Sequence, residues 1–218
     1  MGPSVPEITA ALRPLYGDKI QRRDLNALDE LIFTVLTQHT SDLNAERAYA
    51  TLRAAIPNWE GVLEADTARI EELIRHCGLA AVRSVRIKRI LELVQERHGK
   101  LELDWLADLG LEGARAWLLE LPGVGIKTAS VVASFALNLP ALPVDTHIHR
   151  VSKRLGLIGG KVSAEAAHSV LEALVEEELR FEFHMLLINH GRALCAARRP
   201  RCESCPLRRA CPSSTASR

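Results

Sequence analysis

The sequence predicts an all-α protein, and three observations lead to that fold class. Aromatic residues make up only 4% of the 218 residues, whereas helix formers such as Leu, Ala, Glu and Arg dominate. Apolar residues recur at the three- and four-residue spacing of a helix face along most of the chain. No segment shows a convincing alternation of apolar and polar residues, the pattern expected of a strand. We therefore expect helices separated by glycine and proline breaks.

Several helices can be placed from these patterns. The first apolar stripe contains Leu28, Leu31, Ile32, Val35 and Leu36. The second contains Ile70, Leu73, Ile74 and Cys77 and is followed by Gly78, a residue that commonly ends helices. The third contains Ile87, Ile90, Leu91 and Val94 and is followed by Gly99. Ser163 is predicted to cap a helix that runs through Val170, Leu171 and Leu174.

The composition is that of a folded globular chain. Hydrophobic residues are 47% and charged residues 25%, which excludes a disordered or collagen-like protein. The N-terminus has no long apolar run, and no stretch approaches the roughly 20 apolar residues of a membrane span. We expect a cytoplasmic protein without a membrane partner, in which cysteines are reduced, metal-bound or catalytic.

The net charge of +1 hides an asymmetry. The segment from Arg192 to Arg218 contains seven arginines and one acid, Glu203, and so carries +6. The remaining 191 residues carry −5. A basic tail on an acidic body suggests an anionic partner, of which nucleic acid is the first candidate. A solvated tail without a partner is the alternative.

Four cysteines form a candidate metal site: Cys195, Cys202, Cys205 and Cys211, spaced C-x6-C-x2-C-x5-C. Four thiolates this close can bind a [4Fe-4S] cluster or a tetrahedral zinc ion. A zinc ribbon usually has two C-x2-C knuckles, and only one is present. The unequal loops favour the cluster, because its corners are further apart. Disulfide pairing is the structural alternative. Cys77 lies apart on an apolar helix face and is expected in the core.

Basic residues lie between these cysteines. The loop from Ala196 to Arg201 is held at both ends by predicted ligands and contains Arg198, Arg199 and Arg201. A bound metal would stiffen this loop and present its arginines to phosphates. We therefore predict a structural metal centre and three DNA-binding arginines.

A glycine-containing turn, Leu121-Pro-Gly123-Val124-Gly125, lies between a helix that ends near Glu120 and another that begins near Ile126. Its paired glycines allow a tight turn that exposes N–H groups at a helix N-terminus. Such groups bind a phosphate without reading sequence. Helix joins of this kind also occur in purely structural roles.

Two polar residues accompany the turn. Lys127 lies in the first turn of the next helix, where a cation opposes the helix dipole, and this favours the neutral amine that a nucleophile needs. Phosphate binding is its alternative role. Asp145 precedes a helix that is predicted to end near Leu155, so it can be an N-cap, a carboxylate beside the lysine, or both.

Together these motifs resemble the endonuclease III family of helix-hairpin-helix DNA glycosylases. The resemblance covers roughly Asp24 to Cys211. Its most specific elements are the hairpin segment LPGVGIKTA at 121–129, the segment VDTHIHR at 144–150 and the four cysteines in that order.

The resemblance implies two helical domains with the active-site cleft between them. A six-helix domain would span residues 20–139, and residues 1–19 and 140–218 would form the iron-sulfur cluster domain. Lys127 would attack C1′ of the damaged nucleotide and form a Schiff base, with Asp145 assisting. Substrates would be oxidised pyrimidines and abasic sites in double-stranded DNA, bound by a monomer.

The wedge positions of this family differ here. The family motif S-x-Q-x-T-D has a glutamine that fills the gap left by the flipped base, and His39 occupies that position, next to Gln38. Leu79 matches a second wedge, but Ala80 replaces an aromatic residue. Gln38, His39 and Leu79 are therefore candidate DNA contacts.

Two other functions are compatible with these motifs. A monofunctional mismatch glycosylase shares the fold, but its members lack a lysine at the position of Lys127. A catalytically silent DNA-scanning module is the other alternative, and the retention of both Lys127 and Asp145 argues against it.

Overall fold

The computed structural model describes residues 2–215, which form α-helices, short 3₁₀ helices and turns with no strand among them. The prediction of an all-α protein is confirmed. Contacts divide the chain into two compact units. The first joins the chain up to Arg22 with the chain from Pro140 onward, and the second spans Arg23–Leu139. In residues 2–215, no helix has the length and apolar character that crossing a membrane requires.

The first unit begins with α1, Val5–Tyr16. Ser4 is its N-cap, and the backbone N–H of Ser4 donates to the Glu7 carboxylate at 2.7 Å, as in a capping box. Ile8, Leu12 and Tyr16 lie on the buried face of α1.

Two consecutive arginines mark the passage between the units. The Arg22 guanidinium lies 3.7 Å from the centre of the Phe181 ring in the first unit. Arg23, the first residue of the second unit, forms two hydrogen bonds with the fully buried carboxylate of Glu30. Each arginine is thus bound within its own unit.

The second unit contains seven of the described α-helices. They are α2 (Ala27–Thr37), α3 (Asp42–Ala55), α4 (Trp59–Glu64), α5 (Thr67–Ile74), α6 (Ala80–His98), α7 (Gly110–Leu119) and α8 (Ile126–Phe135). Asn26, Ser41 and Asn58 cap α2, α3 and α4 by accepting a backbone N–H.

The three predicted apolar stripes lie in the core of this unit, which confirms them. The core also buries two charged residues of α2, Asp29 and Glu30. Tyr49 Oη donates to Asp29 at 2.8 Å, and Trp59 Nε1 donates to it at 3.0 Å. Because α2 lies against α3, α6 and α8, its polar face is surrounded as well as its apolar one.

The first unit is completed by α9 (Thr146–Leu155), α10 (Ala166–Leu174) and α11 (Arg180–Ala193). Their apolar faces form a second core with Ile8 and Leu12 of α1. The helix predicted after Ser163 is confirmed, and the Ser163 hydroxyl accepts from the backbone N–H of Ala166 at 3.1 Å, although the N-cap residue of α10 is Glu165. The cysteine-containing segment follows α11.

Candidate active site and cysteine centre

The glycine-containing turn joins α7 to α8, as predicted. Gly123 has φ +74°, in the left-handed region that glycine adopts without strain, and a Cβ atom there would collide with the Arg86 side chain. Gly123 and Gly125 are exposed, whereas Leu121 and Val124 are only 2% and 6% exposed. The turn therefore presents its two glycines to solvent, and Leu121 and Val124, which were also predicted to contact DNA, are buried.

A hydrogen-bonded network of two side chains, Gln38 and Arg86, stabilises this turn. Gln38 Nε2 donates to the Gly123 carbonyl oxygen at 3.1 Å, and Arg86 Nη1 donates to Gln38 Oε1 at 2.8 Å. Both ends of the Gln38 amide are thus used within the second unit, although the sequence indicated a DNA contact. Arg86 was not predicted, because no local pattern shows that α6 reaches a turn 37 residues further on.

His39 and Leu79 are both exposed and both left-handed, with φ +54° and +49°. Among the described residues only two other non-glycine residues have positive φ, Arg199 and Asn138. Three of these four are residues predicted to bind DNA. A non-glycine residue pays roughly 1–2 kcal/mol for this conformation, and such strain concentrates at functional sites.

Lys127 lies in the first turn of α8 and is half-buried. Gly125, two residues before Lys127, is the N-cap of α8 and has no side chain to cover the helix N-terminus. Arg115 of α7 donates to Ser130 of α8 at 3.3 Å, which ties together the two helices on either side of the turn. The lysine thus lies on α8, two residues after the exposed Gly125 of the turn.

Asp145 is the N-cap of α9, and its Oδ1 accepts from the backbone N–H of Ile148 at 2.8 Å. The predicted capping role is confirmed. The cap uses one carboxylate oxygen and leaves Oδ2 available for a second partner.

Two buried histidines hold the peptide group just before Asp145. Val144 N–H donates to His168 Nε2 at 3.0 Å, and the carbonyl oxygen of the same peptide, on Pro143, lies 2.9 Å from His184 Nδ1. Both histidines are at most 4% exposed. They come from α10 and α11, and nothing in the local sequence indicates that they meet this segment.

The four predicted ligands line one small cavity of about 30 Å³ in the first unit, together with residues of α9 and α11. They are Cys195, Cys202, Cys205 and Cys211. All are free, as is the buried Cys77, so the disulfide alternative has no support. Within residues 2–215, no three His, Cys, Asp or Glu side chains are arranged to hold a metal ion.

The cavity fits a sulfur-ligated group in its donors. Arg154 Nη1 lies 3.3 Å from Cys195 Sγ, so a cation already faces one sulfur. Hydrogen bonds from Thr215 lower the pKa of Cys202, whereas burial raises the pKa of Cys205 and Cys211. Because a metal binds the thiolate form of cysteine, binding a metal here would release protons.

A buried histidine, His190, lies next to one of the four cysteines. His190 Nε2 lies 3.7 Å from Cys205 Sγ, and burial lowers the pKa of His190 to about 4. The ring is therefore neutral at neutral pH and adds no charge to the cavity.

Residues of α9 stabilise the basic loop from Ala196 to Arg201. Arg154 of α9 donates to the carbonyl oxygens of Ala196 and Ala197 at 2.7 and 3.1 Å. Arg198 and Arg199 are exposed, and Arg201 is exposed but donates to the Ala193 carbonyl oxygen. The loop can thus present two arginines to an anion while Arg201 helps to shape it.

The model of the HhH-GPD superfamily of base excision DNA repair proteins matches residues 32–177. Endonuclease III of Thermotoga maritima is 34% identical over 181 residues, which are 83% of this chain and 80% of that protein. A candidate DNA glycosylase of Arabidopsis thaliana is 37% identical over 167 residues, which are 77% of this chain but only 57% of that protein.

A solved structure of a trapped endonuclease III–DNA covalent intermediate superposes with a TM-score of 0.84 at 28% identity, covering 96% of this chain and 94% of that one. The helical fold, the hairpin with its lysine and the capping aspartate define a DNA glycosylase of the helix-hairpin-helix class. The chain belongs to the endonuclease III family within the HhH-GPD superfamily.

Proposed function

We propose that this protein is a bifunctional DNA glycosylase and AP lyase that removes oxidised pyrimidines from double-stranded DNA in base excision repair. The observation that carries the proposal is the position of Lys127, in the first turn of α8 behind an exposed backbone turn. An amine in this place meets a nucleotide whose phosphate is bound by the N–H groups of the turn. Support for DNA as the partner comes from the similarity to the endonuclease III–DNA complex.

In the proposed reaction the Lys127 Nζ lone pair attacks C1′, and the bond between C1′ and the base nitrogen breaks. The base leaves with the bonding electrons and takes a proton. The sugar ring then opens to a Schiff base on Lys127. Loss of a C2′ proton expels the 3′ phosphate by β-elimination, and water hydrolyses the Schiff base. Asp145 accepts a proton from the amine or stabilises the developing positive charge on the sugar.

The preference for oxidised pyrimidines rests on the family resemblance of the hairpin, Asp145 and cysteine motifs. Borohydride trapping on duplexes that contain thymine glycol or an abasic site tests both the chemistry and this preference. A covalent adduct on the thymine glycol duplex would support a glycosylase that forms a Schiff base after releasing the oxidised base. The absence of an adduct on that duplex would contradict the proposed preference for oxidised pyrimidines.

The proposal includes a [4Fe-4S] cluster bound by Cys195, Cys202, Cys205 and Cys211. Support comes from the cavity that these four side chains line and from the Arg154 guanidinium beside Cys195. A bound cluster supplies four iron–thiolate bonds that cross-link the segment after α11. The chain itself then holds Arg198 and Arg199 towards the DNA phosphates on a loop that is fixed at both ends.

The capping and catalytic roles of Asp145 can be separated by two substitutions. Asp145→Asn keeps an oxygen for the Ile148 N–H, so its melting temperature should match wild type, whereas Asp145→Ala should lose about 1 kcal/mol of stability. Both variants should release the base about 10²-fold more slowly or worse, because neither has a carboxylate. Single-turnover base release and thermal melting measure the two effects. If Asp145→Asn released the base at the wild-type rate, the catalytic role of Asp145 would be contradicted and only its capping role would remain.

DNA binding should weaken steeply with salt, because arginine–phosphate contacts release counterions. The double variant Arg198→Ala/Arg199→Ala should lower the slope of log K against log salt by about 2, at about 0.9 for each contact. Fluorescence anisotropy from low to moderate salt measures this slope. The matched control removes two exposed arginines that pair with glutamates in the second unit, Arg69 and Arg89. Equal slopes for the two double variants would contradict the assignment.

A further inference from the structure

Leu79 is the most exposed large apolar side chain in the described chain, at 62%, and its backbone is left-handed. It is the N-cap residue of α6, a position that usually has a hydrogen-bonding side chain, and it makes no side-chain cap. Neither burial nor capping therefore accounts for a leucine here. An apolar side chain that is held in solvent in a strained conformation indicates a contact with another molecule.

A buried arginine holds the turn that presents Leu79. Arg83 of α6 is 2% exposed, and its Nη1 donates to the carbonyl oxygens of Cys77 and Gly78, the latter at 2.5 Å. These carbonyls end the 3₁₀ helix Arg75–Cys77, where the helix dipole favours a cation. The two bonds fix the residues that immediately precede Leu79.

Stability alone is a poor reason for a guanidinium at this place. Burying a charge is costly unless its donors are satisfied, and Arg83 Nη2 has no hydrogen-bond partner among the described residues. An apolar side chain of similar length would occupy the space without that cost. What the arginine adds is the fixed geometry of the Cys77–Gly78 turn.

The same helix joins this turn to the hairpin. Leu79, Val82 and Arg86 follow one another at positions i, i+3 and i+7, so they lie along one side of α6. Val82 is 56% exposed, and Arg86 holds Gln38 beside Gly123. Leu79 therefore stands about 10 Å along the helix axis from the arginine that braces the phosphate-binding turn.

We propose that Arg83 is a positioning residue that locks the Cys77–Gly78 turn so that Leu79 inserts between the bases of a DNA duplex. The inference rests on the proposed function, since it takes damaged duplex DNA as the substrate. Apolar side chains inserted at a base step unstack it, and base extrusion requires that energy from the protein. A wedge that is rigid before binding loses less conformational freedom on binding than a mobile one.

The test uses a duplex with a non-cleavable abasic analogue and 2-aminopurine beside it, whose fluorescence rises when the stack opens. Leu79→Ala and Arg83→Met should each lose most of that rise, and each should slow base release from a damaged duplex about tenfold. The double variant should be no more than about twofold slower than either single one, because both changes remove one wedge. Arg83→Lys keeps a cation that can reach one carbonyl and should recover most of the fluorescence rise.

Controls separate this role from a purely structural one. Arg53→Met removes another largely buried arginine of the second unit, which pairs with Asp29, and should lower the melting temperature with the fluorescence rise intact. The proposal would be overturned if Arg83→Met lowered the melting temperature but kept the wild-type fluorescence rise. It would also be overturned if the rate losses of the two single variants multiplied in the double variant. If wild type opens the stack through Leu79 and Arg83 yet releases no base, the proposed function fails and this inference stands.

Discussion

Lys127→Ala should form no borohydride-trapped adduct with a duplex that contains thymine glycol or an abasic site, whereas wild type should form one on both. Borohydride reduces a Schiff base to a stable amine, so the adduct marks the residue whose amine attacked C1′. Alanine has no nucleophile, and the strand-nicking rate should fall about 10³-fold or more. Duplex binding should change little, because the backbone N–H groups of the hairpin are retained.

The matched control for this experiment is Lys161→Ala, which removes an exposed lysine from the first unit. It should trap as efficiently as wild type. An adduct that persists in Lys127→Ala would assign the chemistry to another amine. An adduct of wild type on the abasic duplex alone would leave a lyase with a different lesion preference. No adduct on either duplex, with binding intact, would favour the monofunctional glycosylase or the DNA-scanning module.

Cys202→Ser should lose the metal and melt at a much lower temperature than wild type. Metal-binding free energy is folding free energy in such sites, and it is roughly 10 kcal/mol in small metal-dependent domains. A serine hydroxyl is not deprotonated at neutral pH and does not replace a thiolate. Iron and sulfide content, visible absorption and hydrogen exchange of the loop at 196–201 report the loss without relying on enzyme activity.

Cys77→Ser is the control for the cysteine experiment. Its sulfur donates to the Ile74 carbonyl oxygen at 2.9 Å within the second unit and does not line the cysteine cavity. This variant should retain wild-type iron content. Full iron content in Cys202→Ser would refute the assignment of Cys202 as a ligand. Zinc without iron in wild type would keep the four ligands and replace the cluster with a tetrahedral ion.

The features that depend on neighbouring residues were predictable from the sequence. The hairpin between α7 and α8, the cap at Asp145 and the helix that begins after Ser163 were all confirmed. Each depends on hydrogen bonds or apolar spacing within about one or two helical turns. The spacing of the cysteines also indicated that they would meet, and they line one cavity.

The contacts that position these features were not predictable, because their partners are distant in the sequence. Arg86 braces a hairpin 37 residues away, and Arg83 reaches back to the turn before α6. His168 and His184 hold the peptide before Asp145 from two later helices. Gln38, for which the sequence predicted a DNA contact, also holds the hairpin through the Gly123 carbonyl oxygen.

Composition, periodicity and short motifs were sufficient to predict the helical fold class, the family and the residue types that the proposed chemistry needs. Which of the predicted contacts face solvent depends on the tertiary structure. It buries the side chains of Leu121 and Val124 and leaves His39 and Leu79 exposed in left-handed conformations. The reason is that burial and backbone strain depend on every helix that surrounds a residue, and a local pattern describes only one of them.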